Sequence, residues 1–99
     1  MAVMEKALPM GNAGNLHNYG RTLIGMGRVD EAVRIFEMNV ERNPDTWFVE
    51  LGLARGLSAK GEYARAAAEM KKSLAKAPDG QKAYVQGLVD QLSAGKDIN

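Results

Sequence analysis

Residues 27–44, GRVDEAVRIFEMNVERNP, and residues 61–78, GEYARAAAEMKKSLAKAP, decide the fold. Each stretch begins with a glycine and ends with a proline, and between them its apolar residues recur three or four apart. Val29, Ala32, Val33, Phe36 and Val40 fall on one face of an α-helix, and Tyr63, Ala66, Ala67, Met70 and Leu74 do the same. The two stretches lie 34 residues apart, and the register holds position by position: Ala32 with Ala66, Phe36 with Met70, Val40 with Leu74, Pro44-Asp45 with Pro78-Asp79. It extends beyond them, pairing Leu23 with Leu57 and Gly20 with Ala54, and Gly95 stands 34 residues beyond Gly61. One offset recurring this often marks an internal repeat.

Each repeat reads as two helices. Gly27 and Gly61 stop a first helix, because glycine takes the left-handed conformation without steric cost. The second helices are expected at Val29–Arg42 and Glu62–Lys76. Pro44 and Pro78 end them, since the residue before a proline is pushed out of the helical region. Asp45 or Thr46 is placed to cap the next helix, running to about Lys60. A last helix is expected from Gln81 to about Ala94, with Tyr84, Val85, Leu88, Val89 and Leu92 inward and Gln81, Lys82, Gln86, Asp90 and Gln91 outward. Lys71, Lys72 and Lys76 suit a helix C-terminus, and Arg65 and Glu69 are spaced as an ion pair. Gly20, Gly52 and Gly56 permit close helix packing. The expected fold is all-α, in one domain over 1–99: a helical stub (1–10, with Val3, Met4, Ala7 and Leu8 as its apolar residues), repeat 1 (13–44), repeat 2 (45–78), a capping helix (79–95) and a tail (96–99).

Composition excludes several functions. The chain of 99 residues holds no cysteine, which removes disulfides, thiolate nucleophiles and Cys-ligated zinc. Its one histidine, His17, makes an imidazole metal site a poor expectation and has no nucleophile pattern around it. Thirteen basic and twelve acidic residues give a net charge of +1, too little to hold nucleic acid or an anionic membrane. No apolar run reaches membrane-spanning length. The glycines near 25–27 and 95 lack phosphate-loop spacing and context. No catalytic, metal-binding or cofactor-binding residue is expected, and the chain is read as not an enzyme. With no targeting signal the default compartment is the cytoplasm.

The 34-residue helix-turn-helix unit resembles the tetratricopeptide repeat (TPR) family over roughly residues 13–95. The residues that carry the resemblance are Gly20 and Ala54, Gly27 and Gly61, Ala32 and Ala66, Phe36 and Met70, and Pro44 and Pro78. Glu50 departs from it, standing where the family has a large apolar residue. The resemblance implies an α-solenoid of antiparallel helix hairpins whose first helices line a concave groove for a protein or peptide. Groove positions would then include His17, Asn18 and Arg21 in repeat 1, Phe48, Gly52, Arg55 and Ser58 in repeat 2, and Lys82 and Gln86 in the capping helix. Such a groove holds cations and amides without a carboxylate, and would suit an extended peptide with an acidic residue or a free carboxylate. Relatives that grip a C-terminal carboxylate use a Lys, Asn and Arg set that falls here on His17, Arg21, Gly52, Lys82 and Gln86, where Lys82 alone matches by type.

Trp47 and Phe48 are adjacent, and on a helix they would point about 100° apart. One is expected in the hairpin seam, with the other covering the neighbouring unit or lining the groove. More narrowly, ALPMGNAGNLHNYGR, NPDTWFVELGLARG and AGKDIN resemble the helical C-terminal tail of a bacterial, often exported family of uncharacterised function. That resemblance implies either a truncation lacking a β-rich N-terminal domain or a natural standalone copy, and a periplasmic setting. Separately, the unpaired capping helix and the start in mid-hairpin favour an accessory role as the alternative, packing on a missing N-terminal domain or self-associating as a homodimer through exposed terminal helices.

Overall fold

A computed structural model describes residues 12–99, so the expected stub at 1–10 lies outside the described residues. The described chain is all-helical: α1 (Ala13–Gly25), α2 (Val29–Arg42), α3 (Val49–Ala59), α4 (Tyr63–Lys76) and α5 (Asp79–Ser93). Each helix packs against the next, and α1 also touches α3.

The helix ends explain the spacing. The Asn12 side chain accepts the Asn15 N–H at 2.9 Å and caps α1. Gly27, Gly61 and Gly95 have φ of 78°, 81° and 75°. The same pair of hydrogen bonds closes each of these ends. Gly27 N bonds Ile24 O and Arg28 N bonds Leu23 O; Gly61 and Glu62 do so to Ser58 and Leu57, and Gly95 and Lys96 to Leu92 and Gln91. This is the Schellman arrangement, which satisfies orphan carbonyls and turns the chain.

The seams are set by size. Phe36 is fully buried. A Cβ added at Gly20 or Gly52 would sit 2.5 Å or 2.6 Å from its ring, and one at Gly56 would come within 3.2 Å of it. Gly52 therefore belongs to the seam between α2 and α3, not to an open groove. Ala32, Val33, Leu53, Ala54, Leu57, Ala66, Ala67 and Met70 continue the core, with Val85, Leu88, Val89 and Leu92 of α5.

Two buried polar residues repeat the same hook. Asn39 Nδ2 donates to Ala13 O at 3.0 Å, and Ser73 Oγ donates to Trp47 O at 2.5 Å. Donors and acceptors are both displaced by 34 positions. Each hook gives a fully buried side-chain donor its partner, where leaving it unpaired would cost about 1–3 kcal/mol. Glu50 is buried too, and its carboxylate meets Lys76 Nζ at 2.9 Å and 3.1 Å. Lys76 also donates to Pro44 O at 2.6 Å, so the charge has a partner and α3 is tied to the end of α4.

Several expectations are corrected. Helix α3 begins at Val49, with no side-chain cap from Asp45 or Thr46; two turns, Thr46 N to Asn43 O and Val49 N to Thr46 O, occupy that stretch. Helix α5 begins at Asp79, two residues early. Arg65 pairs with Glu62 at 2.7 Å instead of Glu69, which pairs with Lys72 at 2.9 Å. Tyr84 does not face the core: it is 49 % exposed, at the edge of the α5 apolar stripe.

Gly20→Ala should destabilise the protein by about 1–3 kcal/mol through overpacking against Phe36. Gly25→Ala, with open space at its Cβ, should be neutral or stabilising by up to about 1 kcal/mol. Denaturant unfolding of both variants measures this; equal midpoints would place the seam elsewhere.

Candidate functional site

A cavity of about 340 Å³ opens where α1, α3 and α5 meet. Helix α1 contributes Gly14, His17, Asn18 and Arg21, at the three- and four-residue spacing of one helix face. Leu51 and Arg55 come from α3, Tyr84 from α5, and Trp47 and Phe48 from the turn before α3. The aromatic rings form one wall. Phe48 meets Trp47 edge-on at 5.8 Å between centroids and His17 at 5.3 Å, and His17 lies 5.9 Å from Phe36 below.

Trp47 and Phe48 thus border the same cavity, against the expectation that they diverge. Both precede the first residue of α3, so the 100° step of a helix does not govern them. Of the expected groove residues, His17, Asn18, Arg21, Phe48 and Arg55 come together here; Gly52 and the buried Ser58 do not line the cavity, and neither do Lys82 and Gln86. Lys82 Nζ donates to Leu74 O at 3.2 Å, satisfying a C-terminal carbonyl of α4, and Gln86 bonds Asp90 on its own helix at 3.0 Å. Tyr84 takes the place expected of them. The amphipathic ring at the margin of the apolar stripe is the one signal in the sequence that points to it.

Arg55 is the central group. It is 8 % exposed, yet no carboxylate among the described residues pairs with it. One Nη donates to the Tyr84 hydroxyl at 2.7 Å and the other to Ile98 O at 3.2 Å, while Nε is buried without a partner. Burial holds its pKa below the ordinary guanidinium value; Tyr84 offsets this in part and Arg21 adds to it. Arg21 is exposed at the same cavity. Two cations with no counter-ion among the described residues thus line a partly apolar recess, which is the electrostatic condition for taking up an anion.

His17 lies between them. Burial first, then the positive charges of Arg21 and Arg55, lower its pKa from 6.5 to about 4. Its Nδ1 is buried without a hydrogen bond, and a Cβ at Gly52 would come within 2.9 Å of it. The imidazole is thus neutral above about pH 4 and packs as an aromatic ring.

A second recess of about 400 Å³ is lined by Asp30, Val33, Arg34, Glu37, Leu57, Lys60 and Arg65. Its charges are of both signs, and Lys60 lies 3.5 Å from both Asp30 and Glu62. It lacks the charge imbalance of the Arg55 cavity. No described helix is long and apolar enough to cross a membrane. No protein-family model, no curated protein and no solved structure matches this chain.

The His17 shift sets a pH dependence. The unfolded chain takes up a proton near pH 6.5, and the folded state does so only near pH 4. Unfolding therefore binds a proton in this window, and stability should fall as pH drops from about 6.5 to about 4. Thermal melts of the parent and His17→Gln across this range check it. The variant should lack the decline due to residue 17, and parallel pH profiles would show the imidazole to be solvated.

Proposed function

We propose that this chain is a non-catalytic binding module, a short α-solenoid of TPR type, that holds an extended peptide with a carboxylate in the cavity between α1, α3 and α5. The observation that carries the reading is the buried Arg55 guanidinium, without a carboxylate partner among the described residues, beside exposed Arg21 and the Trp47–Phe48 wall. A carboxylate arriving there would gain charge-assisted hydrogen bonds in a site already stripped of much of its water. The aromatic wall supplies apolar surface for neighbouring side chains of the peptide. The 34-residue recurrence of the glycine caps, and of the Asn39 and Ser73 hooks, supports the repeat architecture.

The protein's one tryptophan borders the cavity, so its fluorescence reports occupancy. The test is a titration with short N-acetylated peptides bearing an acidic side chain or a free C-terminal carboxylate, against their amide counterparts. Acidic peptides should saturate the Trp47 signal and the amides should bind about tenfold or more weakly, as expected for a charged hydrogen bond of about 1.5–3 kcal/mol. Arg21→Glu should abolish the response with unchanged helicity. Arg55 is the poorer variant, because replacing it also breaks its bonds to Tyr84 and Ile98. Equal binding by the parent and Arg21→Glu, or no response to any acidic peptide, refutes the proposal.

A further inference from the structure

After Gly95 the chain does not start another helix. Residues Asp97, Ile98 and Asn99 lie back across α3, held by four hydrogen bonds. Ser58 Oγ donates to Asp97 Oδ1 at 2.6 Å, and Ile98 N donates to Ser58 Oγ at 3.1 Å. Arg55 Nη1 donates to Ile98 O at 3.2 Å, and Asn99 Nδ2 donates to Arg55 O at 2.9 Å. Both backbone groups of Ile98 are used, and its side chain packs on the core. Asp97 also accepts the Asn99 backbone and side-chain N–H groups at 3.1 Å and 2.9 Å. Burial pushes its carboxyl up, but the Ser58 and Asn99 hydrogen bonds outweigh this and hold it below the usual range.

These contacts are those of a bound peptide: a carboxylate on a hydroxyl, one backbone unit held at both ends, an aliphatic side chain on apolar surface and an amide on a main-chain carbonyl. The strap shares a group with the cavity, because the guanidinium that meets Tyr84 with one nitrogen holds Ile98 with the other. We infer that the Arg55–Ser58 face of α3 is a binding site for an extended segment of acidic–aliphatic–amide order, and that residues 97–99 occupy it in cis as a competitor. A partner of that order enters by displacing the strap, and a carboxylate reaching Arg55 from the cavity side loosens it by drawing a donor away from Ile98. This inference rests on the cavity as a peptide site and adds the chemistry and the regulation of its α3 side.

The experiment uses the full chain. Amide exchange by NMR should show the Ile98 N–H protected in the parent and at least tenfold less protected in Ser58→Ala. A fluorescein-labelled peptide AGKDIN should bind the Asp97→Ala/Asn99→Ala variant at least tenfold more tightly than the parent. Adding Ser58→Ala to that variant should remove the binding. Circular dichroism confirms that each variant is folded; if Ser58→Ala is not, parent exchange and the released variant carry the test. An Ile98 amide exchanging at the unprotected rate in the parent overturns the inference. So does equal peptide affinity for parent and released variant, or a parent dimer by sedimentation that Ser58→Ala dissolves, which would put the strap on a second copy. An unprotected Ile98 amide leaves the Trp47 titration intact, and a failed titration leaves the exchange result intact, so the two readings fail separately.

Discussion

The seat of the Phe36 ring is the constraint on which the rest depends. Three glycines from two helices, Gly20, Gly52 and Gly56, leave the space that this ring fills. Emptying such a site costs about 3–5 kcal/mol, a large share of the stability of a domain this small. The same seat sets the floor of the cavity. Phe36 fixes how closely α3 approaches α1, Gly52 lets His17 lie against α3, and the His17 ring supports Phe48. Site geometry thus follows from one large side chain meeting residues that have none.

The second repeat solves the same problem with other sizes. Met70 stands where the first repeat has Phe36, and Ala54 stands where it has Gly20, so a smaller knob meets a larger partner. Both Met70 and Ala54 are fully buried. Volume-conserving exchange of this kind keeps a seam closed while its residues change. The polar hooks show the same economy, since an amide in one repeat and a hydroxyl in the other each reach a carbonyl 26 residues back.

Features set by local chemistry were legible in the sequence. The all-helical fold, the α2 limits at Val29 and Arg42 and the three glycine caps follow from periodicity and from φ at single positions. The bringing together of His17, Asn18, Arg21 and Arg55 follows from helix spacing once α1 and α3 lie side by side. The rest turned on contacts between elements. Lys82 was taken up by the end of α4, and Trp47 and Phe48 lay outside the helix that would have parted them. Helix α5 turned Tyr84 outward toward Arg55. Nothing in the periodicity announced that residues 97–99 would lie on α3, since no repeat in the chain offers a precedent for them.

The order of contacts along the chain carries a consequence for how the molecule assembles. Packing joins each helix to its neighbour, and α1 to α3, so most contacts close short loops and folding should be fast. The bonds between the strap and α3 are the exception, spanning 39 to 44 residues against 26 for the hooks. All of them end on Arg55 and Ser58 of α3. The strap therefore closes the longest loops among these bonds, and four hydrogen bonds hold it, so its local opening costs less than unfolding the helices. Its detachment is an excursion of the native state, one that leaves the helices standing.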